Sequence, residues 1–283
     1  MNRPWLILIL VASLAQVGCS NMFFLPMERL VRTPADIGLK YRDVDFPSGD
    51  GTQLHGWFLP ARGHARGTIL FMHGNAENIS THIGSVHWFP AAGYNVFLFD
   101  YRGYGRSAGR SELQGVIGDA QAAITKVVDM TGECGGPIVV YGQSIGAAIA
   151  IYAVAHSQYH DRIAALIAES AFSSYRRIAR EKLAAFWLTW PLQYPLSLTV
   201  TDEYAPIDAV AKVSPIPLLL IYSEEDVVVP IHHGESLFAA AAEPKKFWRI
   251  PSGRHIGLFL HPEQRKRLLD YIDSVTGEAK GRC

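Results

Sequence analysis

The feature that most constrains the fold is a series of short, mostly apolar runs, each followed by a turn or a helical segment. In chain order the runs are GTILFM, NVFLFD, PIVVYG, RIAALIAE, IPLLLIYS and KKFWRI. Runs that are apolar at nearly every position predict strands covered on both faces, and their alternation with helices predicts a parallel sheet between helical layers. Two earlier strand-like runs, LKYRDVDF and TQLHGWFLP, flank the turn signal PSGDG. We therefore expect an α/β fold with an antiparallel hairpin at one sheet edge.

Helical segments are expected between the runs, and between about Ser111 and Met130 the apolar residues also follow helical spacing. The alternation predicts helices near 80–91, from about Ser111 to Met130, and from about Pro262 to Val275. In a parallel sheet of this kind the ligand crevice lies beyond the carboxyl ends of the strands. Residues with reactive chemistry are therefore expected directly after the apolar runs.

The third run ends in Gly142-Gln143-Ser144-Ile145-Gly146, which fits the pattern G-x-S-x-G. The pattern alone is weak, but here it lies at a strand-to-helix junction, where a sharp turn exposes the serine hydroxyl above the sheet. The two glycines lack a β-carbon, so neighbouring backbone can approach a strained turn closely. A serine that only caps a helix needs no glycine on either side. We predict that Ser144 is a nucleophile.

A serine hydroxyl needs a base, and the base needs an acid that orients it. The segment YSEEDVVVP follows the fifth run, and Asp226 is favoured over Glu224 and Glu225 because it directly precedes the apolar VVVP. The segment IPSGRHIG places His255 in a glycine-containing loop after the last run. The order Ser144, Asp226, His255 is the one expected for this architecture.

Acyl transfer also requires hydrogen-bond donors for the developing oxyanion. One expected donor is the backbone amide of Ile145, directly after the nucleophile. The other is the amide of Asn75 in the loop FMHGNAEN, where Gly74 allows the turn and His73 braces the loop.

Residues 171–212 interrupt the alternation with the aromatic, proline-containing stretch KLAAFWLTWPLQYPLSL. We favour a small cap over the strand ends, in which Phe186, Trp187 and Trp190 contact substrate. An additional core helix is the alternative. The cap would offer apolar surface to an acyl chain.

Several function classes receive no support from the sequence. The 26 basic residues balance 26 acidic ones, so no charge pattern favours nucleic acid. No cysteine or carboxylate in the sequence completes a ligand set with the pair His232–His233 or the pair His156–His160, so we interpret them as surface histidines and expect neither a metal nor a cofactor. Cys134 and Cys283 are too few for a disulfide framework. Unpaired thiols are favoured, with a Cys134–Cys283 pair as the alternative.

The N-terminal sequence MNRPWLILILVASLAQVGCSN has one early charge, Arg3, and an apolar stretch from Trp5 to Val17. This stretch is too short to span a bilayer, which takes about 20 residues, and it suits a secretory signal. Gly18-Cys19 resembles a bacterial lipoprotein box, although Gln16 stands where leucine is usual. We expect lipidation at Cys19 and an envelope location, with the outer membrane favoured by Ser20. Ordinary secretion, giving a periplasmic protein, an uncleaved membrane anchor and a segment with no targeting role are alternatives.

Taken together, HGNA, DYRGYGRSAG, GQSIGAA, EEDVVVP and GRHIG resemble the α/β-hydrolase superfamily, in particular its small serine hydrolases with an HGNA loop, which include lipid thioesterases. The resemblance covers residues 38–276, between a leader (1–19) with a linker (20–37) and a tail (277–283). It implies an eight-stranded, mostly parallel sheet, an elbow serine and no cofactor.

The function expected from the residues and the resemblance is hydrolysis of carboxylic esters or thioesters of small-molecule or lipid-like acyl substrates. A peptidase of the same fold would need a carboxylate for the substrate amine, for which Glu169 and Glu77 are the candidates. A non-catalytic envelope binding protein is a further alternative. The sequence leaves the acyl-chain length and the oligomeric state open.

Overall fold

The computed structural model describes residues 23–132 and 136–277, and within them the chain forms an eight-stranded sheet. The strands are β1 (Arg42–Pro47), β2 (Gln53–Leu59), β3 (Thr68–Met72), β4 (Asn95–Asp100), β5 (Ile138–Gln143), β6 (Ile163–Glu169), β7 (Leu218–Ser223) and β8 (Lys245–Ile250). Their spatial order is β1-β2-β4-β3-β5-β6-β7-β8. β2 pairs antiparallel with β1 and β4, and all other neighbours pair parallel. The predicted α/β-hydrolase fold and its antiparallel edge are confirmed.

The connections between strands contain helices of very different lengths. The α-helices are α1 (Ile79–His82), α2 (Leu113–Thr131), α3 (Ile145–Ala155), α4 (Tyr175–Ala185), α5 (Gln193–Ser197), α6 (Pro206–Ala209), α7 (His232–Ala240) and α8 (Pro262–Thr276). Short 3₁₀ turns occur at Pro34–Ile37, Ile83–Ser85, Phe89–Ala92, His160–Arg162, Trp190–Leu192, Val210–Val213 and Leu258–Leu260. Among the described residues, none of these helices has both the length and the apolar character needed to cross a bilayer.

The sheet separates two apolar layers. Side chains of α2, α3 and α7 cover one face, and those of α1 and α8 cover the other. Along β5, Ile138 and Val140 belong to the first layer, whereas Val139 and Tyr141 belong to the second. Because side chains alternate along a strand, a run that is apolar at every position supplies both layers. This is why the sequence identified the parallel strands correctly.

The prediction of one continuous helix near 80–91 is wrong, because the segment forms a short α-helix and two separate 3₁₀ turns. The Asn78 side chain caps α1 by accepting a hydrogen bond from the Ser80 amide, but α1 continues only as a 3₁₀ turn. After that turn the chain starts a second 3₁₀ turn with Pro90 inside it. Proline has no amide hydrogen to continue a helical ladder, so the segment is broken into short turns.

Residues 171–212 lie after β6 and contain α4, α5 and α6. The Ser174 side chain caps α4 by accepting a hydrogen bond from the Arg177 amide at 3.0 Å, and its hydroxyl donates to Asp202 at 2.7 Å. Only Tyr175 and Ile178 of α4 are buried. A core helix would bury a wider stripe, so this segment stands on the surface of the domain.

Candidate active site

Three side chains predicted from separate motifs meet at the carboxyl edge of the sheet. Ser144 lies at the junction of β5 and α3, Asp226 in the loop after β7, and His255 in the loop after β8. The Ser144 Oγ lies 2.9 Å from the His255 Nε2, and the His255 Nδ1 lies 2.7 Å from the Asp226 Oδ2. Residues 111 positions apart in the chain are thereby joined in one hydrogen-bonded series.

The backbone at Ser144 is strained. Its φ of 54° and ψ of −121° place a non-glycine residue in a region that L-amino acids rarely adopt. A β-carbon on Gly142 would lie 2.6 Å from the Ala147 Cα, and one on Gly146 would overlap the carbonyl oxygens of His73 and Met72. The serine hydroxyl does not cap α3; the Ser144 carbonyl accepts from the Ala147 amide instead. The glycines are thus required by close backbone approach.

Hydrogen bonds fix the orientation of Asp226. Its Oδ1 accepts the amides of Val228 and Val229 at 2.8 and 2.9 Å, which leaves Oδ2 for His255. Burial opposes ionisation of this carboxyl, but the hydrogen bond and charge of His255 and the Val229 amide outweigh it, so the pKa lies below its ordinary value.

The ionised Asp226 sets the tautomer of His255. A carboxylate only accepts hydrogen bonds, so the Nδ1 of a neutral imidazole must carry the ring proton. The Nε2 of His255 is then the acceptor that faces the Ser144 hydroxyl. This arrangement can remove a proton from the serine.

The loop after β3 lies directly beside Ser144. A β-carbon on Gly74 would lie 3.6 Å from the Ser144 Cβ. The side-chain oxygen of Asn75 accepts hydrogen bonds from the Leu25 amide, the Ala76 amide and the Tyr104 hydroxyl at 2.9, 2.7 and 3.0 Å. Within the described residues, the amides of Asn75 and Ile145 have no hydrogen-bond acceptor. Both amides can therefore donate to a substrate oxygen.

His73 braces this loop from the protein interior. The side chain is fully buried, and its Nδ1 donates to the Gly74 carbonyl at 2.7 Å. Burial lowers the pKa of His73, so the ring is neutral. Its Nε2 lies 3.5 Å from the Asp100 Oδ1. Burial raises the pKa of Asp100 to about 8, although a hydrogen bond from the Ile79 amide acts to lower it.

Sequence reasoning missed a segment that supports the loop. We call residues 23–31 the strap, because they cross the loop after β3. Besides the bond from Leu25 to Asn75, the Met27 amide donates to the Glu77 carbonyl at 3.2 Å, and the Gly105 amide donates to the Met27 carbonyl at 2.9 Å. All three bonds use the strap's backbone, so no side-chain motif in residues 23–31 could have indicated them.

Glu169, a candidate amine anchor, is already occupied. Its Oε2 accepts hydrogen bonds from the Tyr141 hydroxyl at 2.5 Å and the Gln143 side chain at 2.7 Å. Burial raises the pKa of Glu169 despite these hydrogen bonds, and its carbonyl accepts the Ser144 amide at 2.8 Å. Glu169 therefore supports the elbow from below. The other candidate, Glu77, is exposed in the turn after Asn75.

The expectation that His232 and His233 are isolated surface histidines is wrong for His233, which is fully buried. The fold brings Glu181 of α4 to within 3.0 Å of the His232 Nε2 and 3.1 Å of the His233 Nε2. The His233 Nδ1 accepts the Ser173 amide at 3.1 Å, and burial lowers the pKa of this ring to about 4. Its proton is therefore on Nε2, directed at Glu181. A protonated nitrogen cannot bind a metal, so the cluster ties α4 to α7.

The remaining predicted residues lie apart from this hydrogen-bonded series. Phe186, Trp187 and Trp190 are on the surface of the cap, and each is more than half exposed. Cys19, Cys134 and Cys283 lie outside the described residues.

Known proteins share this architecture. The family model described as "Serine aminopeptidase, S33" matches residues 63–210. The uncharacterized protein YfhR of Escherichia coli (strain K12) is 38% identical over 240 residues, which cover 82% of this chain and 80% of that protein. The α/β hydrolase domain-containing protein WAV2 of Arabidopsis thaliana is 35% identical over 240 residues, covering 81% and 76%.

Among solved structures, the Pyrococcus furiosus esterase Pf2001 superposes with a TM-score of 0.71 at 22% identity, covering 89% of this chain and 97% of that one. At this identity the likeness concerns the fold alone. The family model and these relatives show the family as well as the fold. The chain belongs to the S33 serine aminopeptidase family of the α/β-hydrolase superfamily and is a hydrolase.

Proposed function

We propose that the protein is a serine hydrolase that cleaves carboxylic esters or thioesters of acyl chains through an acyl-enzyme. The observation that carries the proposal is the series from Ser144 through His255 to Asp226, at 2.9 and 2.7 Å. The amides of Val228 and Val229 occupy the Oδ1 of Asp226, so only Oδ2 faces the imidazole, and the ring is held in one orientation. No cofactor is needed for this chemistry.

The reaction begins when the Ser144 Oγ attacks the acyl carbon and the His255 Nε2 takes the hydroxyl proton. Asp226 stabilises the imidazolium that forms. The amides of Asn75 and Ile145 hold the oxyanion, and removal of one such donor typically costs about 2.7–4 kcal/mol of barrier stabilisation. His255 then protonates the leaving alcohol or thiol, and a water molecule releases the acyl group by the same steps.

The apolar cap favours an acyl chain as the substrate group. The family description raises an aminopeptidase as the second candidate, which would bind the substrate amine through a carboxylate. Glu169 is buried and its carboxylate already accepts two strong hydrogen bonds, which argues against that role. Glu77 is the remaining candidate, so Glu77→Gln should impair an aminopeptidase and leave an esterase unchanged.

The test of the reaction is labelling by a fluorophosphonate together with turnover of p-nitrophenyl acyl esters. Wild type should be labelled and active, and Ser144→Ala should lose labelling and at least about 10³-fold of the turnover. Persistent labelling of Ser144→Ala would refute the nucleophile. Faster turnover of aminoacyl amides than of esters would replace the esterase by the peptidase, and a folded wild type with neither activity would favour a binding protein.

We also propose that the protein resides in a bacterial cell envelope, held by lipid on Cys19, with the outer membrane favoured. The support is the sequence of the leader alone. Cells grown with labelled palmitate should incorporate label into wild type and not into Cys19→Ala. Absence of label from wild type would remove the lipid anchor.

A further inference from the structure

The exposed apolar side chains of this protein are concentrated in the cap. Of the fourteen large apolar side chains that are exposed in the described residues, eight come from the thirteen consecutive residues 186–198. We call these residues the apolar face. Trp187 is 78% exposed and Leu198 is 69% exposed. Contiguous exposed apolar surface of this kind is rare on soluble monomers and indicates an interaction site.

Part of the backbone of the apolar face is paired within the segment itself. The amides of Thr189 and Trp190 both donate to the Phe186 carbonyl, at 3.0 and 2.9 Å, and the Leu198 amide donates to the Tyr194 carbonyl at 3.2 Å. The Thr189 hydroxyl donates to the Leu183 carbonyl at 2.6 Å. In hydrocarbon an unpaired backbone group costs several kcal/mol, so internal pairing is a requirement for contact with lipid.

The helix that precedes the apolar face is basic, which matches an anionic membrane surface, whereas the acidic residues Asp202 and Glu203 follow the face in the chain. Residues 183–200 contain no charged side chain, whereas α4 carries four basic residues and one acidic residue. The Arg180 guanidinium lies over the Tyr194 ring at 5.4 Å, at the border between the charged helix and the apolar face. Tryptophan and tyrosine beside basic residues are typical of the membrane–water interface.

The linker that follows the leader contacts the base of the cap. The Phe23 ring packs edge-on against Tyr175, the first residue of α4, at a centroid distance of 5.5 Å, and it also contacts Phe172. The 22 residues before Phe23 include the apolar stretch from Trp5 to Val17. Four residues of chain span at most about 14 Å, so a lipid on Cys19 would be held within that reach of Phe23.

Two segments next to the site also carry exposed apolar side chains. Val227, directly after Asp226, is 84% exposed, and its carbonyl accepts a hydrogen bond from the Lys182 Nζ of α4 at 3.0 Å. Leu25 of the strap is 61% exposed next to Asn75. Exposed apolar side chains therefore lie next to two residues of the site, Asp226 and Asn75.

We propose that the apolar face docks onto a lipid bilayer, so that the crevice beside Ser144 opens at the membrane surface and receives acyl substrates from the lipid phase. The docking itself does not depend on catalysis. The origin of the substrate rests on the proposed function. A second copy of this chain and the chain's own leader are the competing occupants, and both are outcomes of the test.

Docking is measured on the full-length chain in vesicles of phosphatidylethanolamine and phosphatidylglycerol with brominated acyl chains, which quench nearby tryptophans. The comparison is wild type against Trp187→Phe/Trp190→Phe, which keeps the aromatic rings and removes two indoles. The brominated lipid should quench a larger fraction of the tryptophan fluorescence in wild type than in the double variant. Equal quenching in both proteins would overturn the proposal, because all other tryptophans, including Trp5 of the leader, are common to both.

The competing occupants are tested without vesicles. In solution without lipid, iodide should quench the fluorescence of wild type more strongly than that of the double variant, because Trp187 and Trp190 are open to water. Protection from iodide in a monomer would assign the apolar face to the leader. Protection together with a concentration-dependent dimer in analytical ultracentrifugation would assign it to a second copy. Either result would overturn docking to lipid.

The source of the substrate is tested with Leu188→Ser/Leu192→Ser/Leu198→Ser, three exposed positions on the apolar face. This variant should hydrolyse a short water-soluble ester within twofold of wild type and a vesicle-embedded acyl ester at least tenfold more slowly. Ile37→Ser, an exposed apolar position outside the cap, is the matched control and should change neither rate. Equal losses on both substrates would overturn the proposal. A wild type that hydrolyses neither ester but shows the quenching would refute the proposed function and leave docking intact.

Discussion

The carboxyl edge of the sheet and the apolar face of the cap depart from ordinary burial in opposite directions. At the edge, the polar side chains Ser144, Glu169 and Asp226 are buried, and hydrogen bonds satisfy them. On the apolar face, Trp187 and Trp190, which a domain would normally bury, are exposed. Buried polar groups and exposed apolar patches are the informative exceptions in a fold. The contrast teaches that the two regions are exceptions of opposite kind: the edge buries polar groups that hydrogen bonds satisfy, whereas the apolar face leaves large apolar side chains in solvent.

Backbone strain separates the two regions as well. Among the described residues, every non-glycine residue with a positive φ lies in a loop at the carboxyl edge: Ala76, Glu77, Ser144, Ser170 and Ile256. Strained residues of this kind persist only where the surroundings over-determine them. The edge is therefore held rigidly by the core beneath it, and the apolar face contains none of this strain.

The largest expected effect comes from Asp226→Asn, which tests whether the edge is directional. The Val228 and Val229 amides would keep the asparagine oxygen, so its NH₂ group would face the His255 Nδ1 and force the ring proton onto Nε2. The ring could then no longer accept the serine proton, and ester turnover should fall by about 10⁴-fold. Glu224→Gln, an exposed neighbour, should leave turnover unchanged; a loss below tenfold for Asp226→Asn would contradict the tautomer argument.

Gly146→Ala tests the close approach that the elbow requires. The added β-carbon would overlap the carbonyl oxygens of His73 and Met72, and overpacking of this kind typically costs about 1–3 kcal/mol. The melting temperature should fall by roughly 3–10 °C, with loss of ester turnover. In Gly118→Ala the nearest atom to the new β-carbon would be Ser48 Oγ at 3.7 Å, so this helical control should be neutral or slightly stabilised. Equal melting temperatures for the two variants would contradict the model of the elbow.

Asp100→Asn tests whether ionisation of the buried Asp100 carboxyl lowers the stability of the fold as pH rises. Burial raises the pKa of Asp100 to about 8, so the folded chain binds this proton more tightly than the unfolded chain does. Its contribution to stability is therefore present below the ordinary carboxyl pKa of about 4 and is lost as pH rises towards 8. Asparagine cannot ionise, so the melting temperature of the variant relative to wild type should increase from pH 4 to pH 8. Asp45→Asn, at an exposed position of β1, is the control; a pH-independent difference for Asp100→Asn would argue against the buried acid.

The smallest effect is expected on the apolar face. Trp187→Ala removes a side chain that is 78% exposed and should change the free energy of unfolding by no more than about 0.5 kcal/mol. Trp57→Ala, at a residue that is 1% exposed, should cost about 3–5 kcal/mol. Denaturant titration in the absence of lipid measures both values. A cost above about 2 kcal/mol for Trp187 would mean that it packs in the monomer, which would weaken the contrast between edge and cap.

Much of the fold could be predicted because its signals are local. Continuous apolar runs specify strands buried on both faces, and the glycines around Ser144 report a turn that permits no β-carbon. The single helix predicted for 80–91 was wrong because the segment, which contains Pro90, is divided into short turns. The strap could not be predicted for a different reason. Its hydrogen bonds to the loop after β3 come from backbone groups, which nearly every residue type has, so its side chains gave no signal.

The sequence by itself determined the order of strands and helices, the elbow at Ser144 and the candidate acid and base, because each depends on a few adjacent residues. Only the tertiary structure decided which atoms meet: the 2.9 Å approach of His255 to Ser144, the Asn75 side chain held by the strap, and Glu181 beside His232 and His233. The physical reason is that hydrogen bonding and burial depend on distance in space. The sheet sets those distances when it brings the carboxyl ends of its parallel strands to one edge.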